Sequence, residues 1–249
     1  MARDDARDYL WRQQLGDGHN CSRPVELPSI GLPSMLEPDR TPLPVTIMAR
    51  CRKCPECLAH RRRLWTARAV DEVQASSRTW FGTLTVAPAH RVRLAYRAEA
   101  KVLRAGGESL SSLDRSERYR ILANELGQEV TKWLKRVRKQ SGASLRYLLV
   151  AEAHKSGDPH MHILVHEDGD PVTKRMLQDQ WRIGFSQWKL VDQDPGAAVY
   201  VCKYLAKDAL TRVRASRRYG QPQLVRSLTE RIHKMRDAVH EASSRREPD

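Results

Sequence analysis

The stretch LRYLLVAEAHKSGDPHMHILVH, residues 145–166, holds two apolar runs on either side of a turn-forming KSGDP. Gly157, Asp158 and Pro159 favour turns and end strands, so Leu145 to Ala153 and His160 to His166 read as two strands joined by a short connection. Residues i and i+2 of a strand share a face, which sets His160 beside His162 and sends Met161 into the core. In an antiparallel hairpin Glu152, before the turn, lies across from His160, after it. Two imidazoles and a carboxylate form a three-ligand set with positions left for water and substrate, and mixed His and carboxylate donors admit Mg2+ or Mn2+. His154 and His166 lie close enough in sequence to compete with Glu152 as the third ligand, and a surface His pair with an exposed acid is the plain alternative.

Upstream of the hairpin, Ser116 to Lys139 carries an apolar stripe at helical spacing through Ile121, Leu122, Leu126, Val130, Trp133, Leu134 and Val137. Its end is basic (Lys132, Lys135, Arg136, Arg138, Lys139), which suits the negative end of a helix dipole, and Ser141-Gly142 closes it. Residues 90–115 are polar, with Gly106-Gly107 and a serine cluster, and read in part as loop. Trp80 to Val86 is aromatic and β-branched and stops at Pro88, as a strand should.

Downstream, a helix is expected across Val172–Trp181, a strand from Phe185 to Val191, and a helix opening at Asp194-Pro195 and running through Tyr200 and Lys207. Strand, helix, strand, strand, helix, strand, helix gives an α+β fold. Its centre is an antiparallel sheet with helices on one face, the split βαβ arrangement.

On the last helix Tyr200 and Tyr204 are one turn apart on one face. Lys203 and Lys207 each stand three residues after a tyrosine, so each phenol has an ammonium within a turn, which favours phenolate and a phosphate beside it. Ordinary amphipathic positions with polar tips would look the same in isolation.

Further out, Cys51, Cys54 and Cys57 stand three apart, with His60 and Cys21 both open as a fourth ligand of a structural Zn2+. Free buried thiols or an iron–sulfur site are the alternatives. Arg61, Arg62 and Arg63 follow at the start of a helix and, with the basic end at Lys132–Lys139, are candidate DNA phosphate contacts. The prolines of residues 1–45 predict an irregular arm, 46–75 a Cys-rich segment and basic helix, and 213–249 a charged tail. Most tryptophans sit at core positions rather than as base-stacking platforms.

The balance of charge supports a polyanionic partner: 44 Lys+Arg against 30 Asp+Glu, net +14, with a pI near 9.9. No run of apolar residues is long enough to span a membrane, and the N-terminal residues carry no apolar core of a secretory signal. Five cysteines, an odd count, argue against a disulfide framework and for a reducing cytoplasm.

Three of these segments together resemble the HUH endonucleases, and specifically the replication initiators of small circular single-stranded DNA phages of the microvirus type. Phe81-Gly82-Thr83-Leu84-Thr85 resembles their structural strand, Glu152 through Pro159-His160-Met161-His162 their metal hairpin, and Tyr200-Val201-Cys202-Lys203-Tyr204 their two-tyrosine motif. The likeness covers roughly residues 51–210, and a cysteine cluster near the start is similar to that of many microvirus-type initiators. It implies that residues 76–212 are a nicking-joining endonuclease domain acting on a single-stranded DNA origin in a bacterial host cell. A divalent ion would polarise the scissile phosphate, and Tyr200 or Tyr204 would form a 5′-phosphotyrosine link and free a 3′ hydroxyl for rolling-circle replication. Lys203 and Lys207 would offset charge on the phosphate, and the host replication helicase and polymerase would be partners. An HUH transposase or relaxase, or a non-catalytic zinc-braced single-strand-binding protein, are the competing readings.

Overall fold

A computed structural model of the chain describes residues 21–32, 43–153, 158–191, 196–206 and 210–221. The five-stranded antiparallel sheet has the order β6-β3-β5-β4-β7. Its strands are β3 (Arg78–Leu84), β4 (Ser144–Ala153), β5 (Pro159–Asp168), β6 (Ser186–Val191) and β7 (Arg212–Ala215). The hairpin β4–β5 forms with the expected register: Glu152 is paired with His160. The fold is the α+β class read from the element order.

The helix layer expected on one face is α2 (Pro88–Arg104) with α3 (Arg115–Ser141). Asp114 accepts from the Ser116 and Glu117 amides at the start of α3, and Gly142, at φ 68°, takes the left-handed conformation at its end. The stripe from Leu126 through Trp133 to Val137 packs against Leu145, Leu149, Met161 and Ile163 of the sheet. The opposite face is covered as well, by α1 (Pro55–Ala75) and α5 (Gly196–Cys202): Ala69, Val73, Ala198 and Val201 meet Leu148, Val150 and Leu164. Alternate residues of β4 and β5 thus feed two cores, so both strands read as nearly unbroken apolar runs. A short helix, α4 (Lys174–Asp179), capped by Thr173, links β5 to β6.

Three segments differ from the sequence expectation. Residues 88–104, read partly as loop, are helix α2, whose narrow stripe of Leu94, Ala98 and Val102 lies among arginines. Within the proline-rich arm, β1 (Val25–Leu32) and β2 (Leu43–Ala49) pair as an antiparallel ribbon, with a register shift between Leu27 and Ile30 that spans Pro28, which has no amide to donate. The charged tail begins later than 213: β7 runs to Ala215, and Tyr219 is buried. His166 Nε2 lies 2.7 Å from Tyr219 Oη and its Nδ1 lies 2.9 Å from Thr79 Oγ1. Burial pushes this imidazole down to about 3, so it stays neutral, and both nitrogens are occupied by structural partners. His166 is therefore not a competing metal ligand.

Gly82 explains the glycine in the middle of β3. A Cβ there would enter the six-membered ring of Trp188, which stacks on Trp133 at 5.2 Å between ring centroids. Gly82→Ala is expected to destabilise by about 1–3 kcal/mol through overpacking, read as a lower urea midpoint at unchanged slope. An unchanged midpoint would mean that Trp188 moves freely aside.

Candidate active site

The face of the sheet that α1 and α5 cover gathers the sequence-predicted residues. His160, His162 and Glu152 come from the β4–β5 hairpin, and Tyr200 and Tyr204 from α5 and the 3-10 turn Lys203–Ala206 that follows it. The Tyr204 ring lies flat on His162, with centroids 4.3 Å apart and planes 4° apart. Phe81 of β3 holds the edge of Tyr200 at 5.5 Å. The gap between imidazole pair and phenols is thus closed by direct ring contact. Lys203 belongs to the same group, its Nζ 3.6 Å from the Tyr200 ring centroid. Lys207, His154 and residues 155–157 of the turn lie outside the described residues.

The two phenols are unlike. Tyr204 is buried (8% exposed) and donates its O–H to Tyr200 Oη at 3.2 Å, whereas Tyr200 is 45% exposed. The accepted hydrogen bond lowers the Tyr200 phenol below its ordinary value, helped by the Lys203 charge and opposed by burial. Burial, and then the bond it gives away, raises Tyr204 well above it. His162 is pushed down to about 4, by burial first and then by the neighbouring His160, against the pull of Glu152. At neutral pH its ring is uncharged and has a lone pair to offer. Thr83 Oγ1, 3.4 Å from Nδ1, stands where it can orient that ring.

His162 Nε2 and Glu152 Oε2 are 3.3 Å apart. Two adjacent ligands of an octahedral ion at about 2.1 Å would be separated by roughly 3.0 Å, so this pair fits a small divalent cation. His160, 4.9 Å from His162 between ring centroids, completes the donor set.

A second cluster stands at the start of α1. The sulfurs of Cys21, Cys51, Cys54 and Cys57 all lie within 4.8 Å of one another, so the fourth member is Cys21 and not His60. Two of the sulfur pairs, Cys51–Cys57 and Cys54–Cys21, are 3.9 Å apart. Four thiolates about 2.3 Å from one tetrahedral zinc would be roughly 3.8 Å apart, so this cluster could hold such a metal. Arg52, at φ 61°, turns the backbone so that the Lys53 and Cys54 amides donate to Cys51 Sγ, and these bonds lower its thiol to about 6. Cys57, desolvated, is raised to about 12. All five cysteines are free of disulfides, as expected.

The arginines divide. Arg62 and Arg63 are exposed, but the Arg61 guanidinium turns inward to the carbonyls of Leu205 and Thr211. At the end of α3, Arg136 and Arg138 are likewise bound to carbonyls, of Gln180 and Leu145, while Lys135 and Lys139 are exposed. Trp80, Trp133, Trp181 and Trp188 are core. No helix among the described residues is long and apolar enough to cross a membrane.

No curated protein and no solved structure matches this chain. A family model does. Residues 79–209, more than half of the 249, match the family described as replication-associated protein ORF2. The match runs from β3 through the hairpin to the tyrosine segment, the parts that build the site. The chain belongs to this family of replication-associated proteins, whose role in replication initiation it shares.

Proposed function

We propose that this protein starts rolling-circle replication by nicking single-stranded DNA at an origin, with Tyr200 as the first nucleophile. One observation carries the reading: the ring of Tyr204 rests on His162 while its hydroxyl donates to Tyr200, so phenols and imidazoles form one continuous group. His160, His162 and Glu152 would hold Mg2+ or Mn2+, which would polarise the scissile phosphate. Tyr200, exposed and with its phenolate favoured, reaches the phosphate first. Its Oη–P bond forms as the bond from phosphorus to the 3′ oxygen breaks. The phenol proton leaves to solvent, and the 3′ oxygen takes one to become the hydroxyl that primes a host polymerase behind a host helicase.

Lys203 and Lys207 offset charge on the transferring phosphate, and Arg62 and Arg63 contact the strand. Tyr204, protonated in the resting state, serves the later cut that releases and rejoins the circle. Incubation with origin DNA and Mn2+ is expected to give a protein–DNA adduct that survives SDS. No adduct with any origin strand or divalent metal would end the reading.

The Cys21, Cys51, Cys54 and Cys57 cluster is proposed to hold structural zinc. Purified protein is then expected to carry about one zinc per chain by elemental analysis, and strong chelation to lower the melting temperature. Metal-free protein with the same melting temperature would remove zinc from the account.

A further inference from the structure

The 3-10 turn Lys203–Ala206 ends the tyrosine segment with carbonyls that no following helical turn can satisfy. They are satisfied from elsewhere. Arg61 Nε and Nη2 both donate to the Leu205 carbonyl, at 3.1 and 2.5 Å, and Nη1 donates to the Thr211 carbonyl at 3.2 Å. Thr211, 1% exposed, donates its hydroxyl to the Tyr204 carbonyl at 3.2 Å. The planar fork of Arg61 thus joins the two sides of residues 207–209 and stands at the negative end of the segment. Arg61 lies one helical turn beyond Cys57, so the same helix that presents the cysteine cluster grips the backbone beside Tyr204.

From this we infer that Arg61 is a positioning residue for the tyrosine pair and not a contact to DNA. Its guanidinium sets the place of the Leu205 carbonyl, hence of Tyr204 against His162 and of the hydroxyl that Tyr204 donates to Tyr200. The inference rests on the nicking reading for its consequence, but its geometry stands apart from it.

Arg61→Gln is expected to lower the single-turnover rate of adduct formation at saturating DNA by on the order of a hundredfold, the usual cost of displacing a reacting group by about 1 Å. The DNA concentration for half-maximal rate should stay within about twofold. Arg61→Lys recovers part of the rate, because an ammonium holds one carbonyl but not the fork. Thr211→Val, nearly the same shape, shifts the rate in the same direction without touching Arg61.

The salt dependence of single-strand binding separates positioning from contact. Its slope should be the same in wild type and Arg61→Gln; a loss of about 0.7 would make Arg61 a phosphate ligand and overturn the inference. Equal rates in wild type and Arg61→Gln would overturn it too. If the wild type forms no adduct, the nicking reading fails alone. Amide exchange of residues 200–206 in DNA-free protein then decides this one: faster in Arg61→Gln supports it, unchanged refutes it.

Discussion

Tyr200→Phe is expected to abolish the SDS-stable adduct on an intact origin strand, slowing it by on the order of 10⁴-fold or more, while Tyr204→Phe still forms it. The asymmetry follows from burial and from the direction of one hydrogen bond. Tyr200 Oη is half in solvent and accepts from Tyr204, so the exposed phenol is the one poised to lose its proton. Tyr204→Phe keeps the ring on His162 and removes only the donated bond. A bond worth about 1 kcal/mol predicts roughly a five- to tenfold slower first cleavage. The pH dependence has a definite sign. Below the depressed Tyr200 value the reactive phenolate grows with pH, so the rate rises with pH and levels off there; Tyr204→Phe moves that rise to higher pH. Mapping the adduct by mass spectrometry checks the assignment. A first adduct on Tyr204 would invert the proposed order.

The largest effect on stability is expected at Glu72 of α1, which is 2% exposed. Its carboxylate accepts from Arg146 Nε at 2.6 Å, from Arg146 Nη2 at 2.5 Å and from the Gly220 amide at 2.7 Å. Arg146 also donates to the Arg217 and Arg218 carbonyls, so one ion pair fastens α1, β4 and the segment beyond β7 together. Glu72→Gln keeps the shape and leaves a guanidinium without its counter-charge, a loss of about 3–5 kcal/mol and roughly 10 °C in melting temperature. Replacing both partners by apolar residues should return much of that loss, since the cost lies in the unpaired charge. A melting temperature within about 2 °C of wild type for Glu72→Gln would show that water reaches Arg146 and screens it.

Much of this could be read from residues alone, for a physical reason. The β4–β5 hairpin is local: its turn and its period of two set the register, so Glu152 opposite His160 followed from counting. The α3 stripe was legible because large apolar residues recur along it. Helix α2 was not, because it buries only Leu94, Ala98 and Val102 and its remaining positions are polar. Strand β7 escaped because four residues of an edge strand, three of them half-buried, carry no strong pattern. Cys21 over His60 was a matter of distance across 30 residues of chain, which spacing cannot rank. The inward turn of Arg61 likewise depends on which side of α1 meets the tyrosine segment, and three consecutive arginines look alike in sequence.

The order of the sheet has a mechanical consequence. Residues 196–206 fall in the chain between β6 and β7, the two outermost strands, on opposite margins. A strap tied to both margins has no free end, so it cannot swing out like a flap when a DNA end is covalently attached to it. Any exchange of work between its two phenols then has to come from rotation about side-chain bonds over a few ångströms, with the backbone between the two anchorages staying in place.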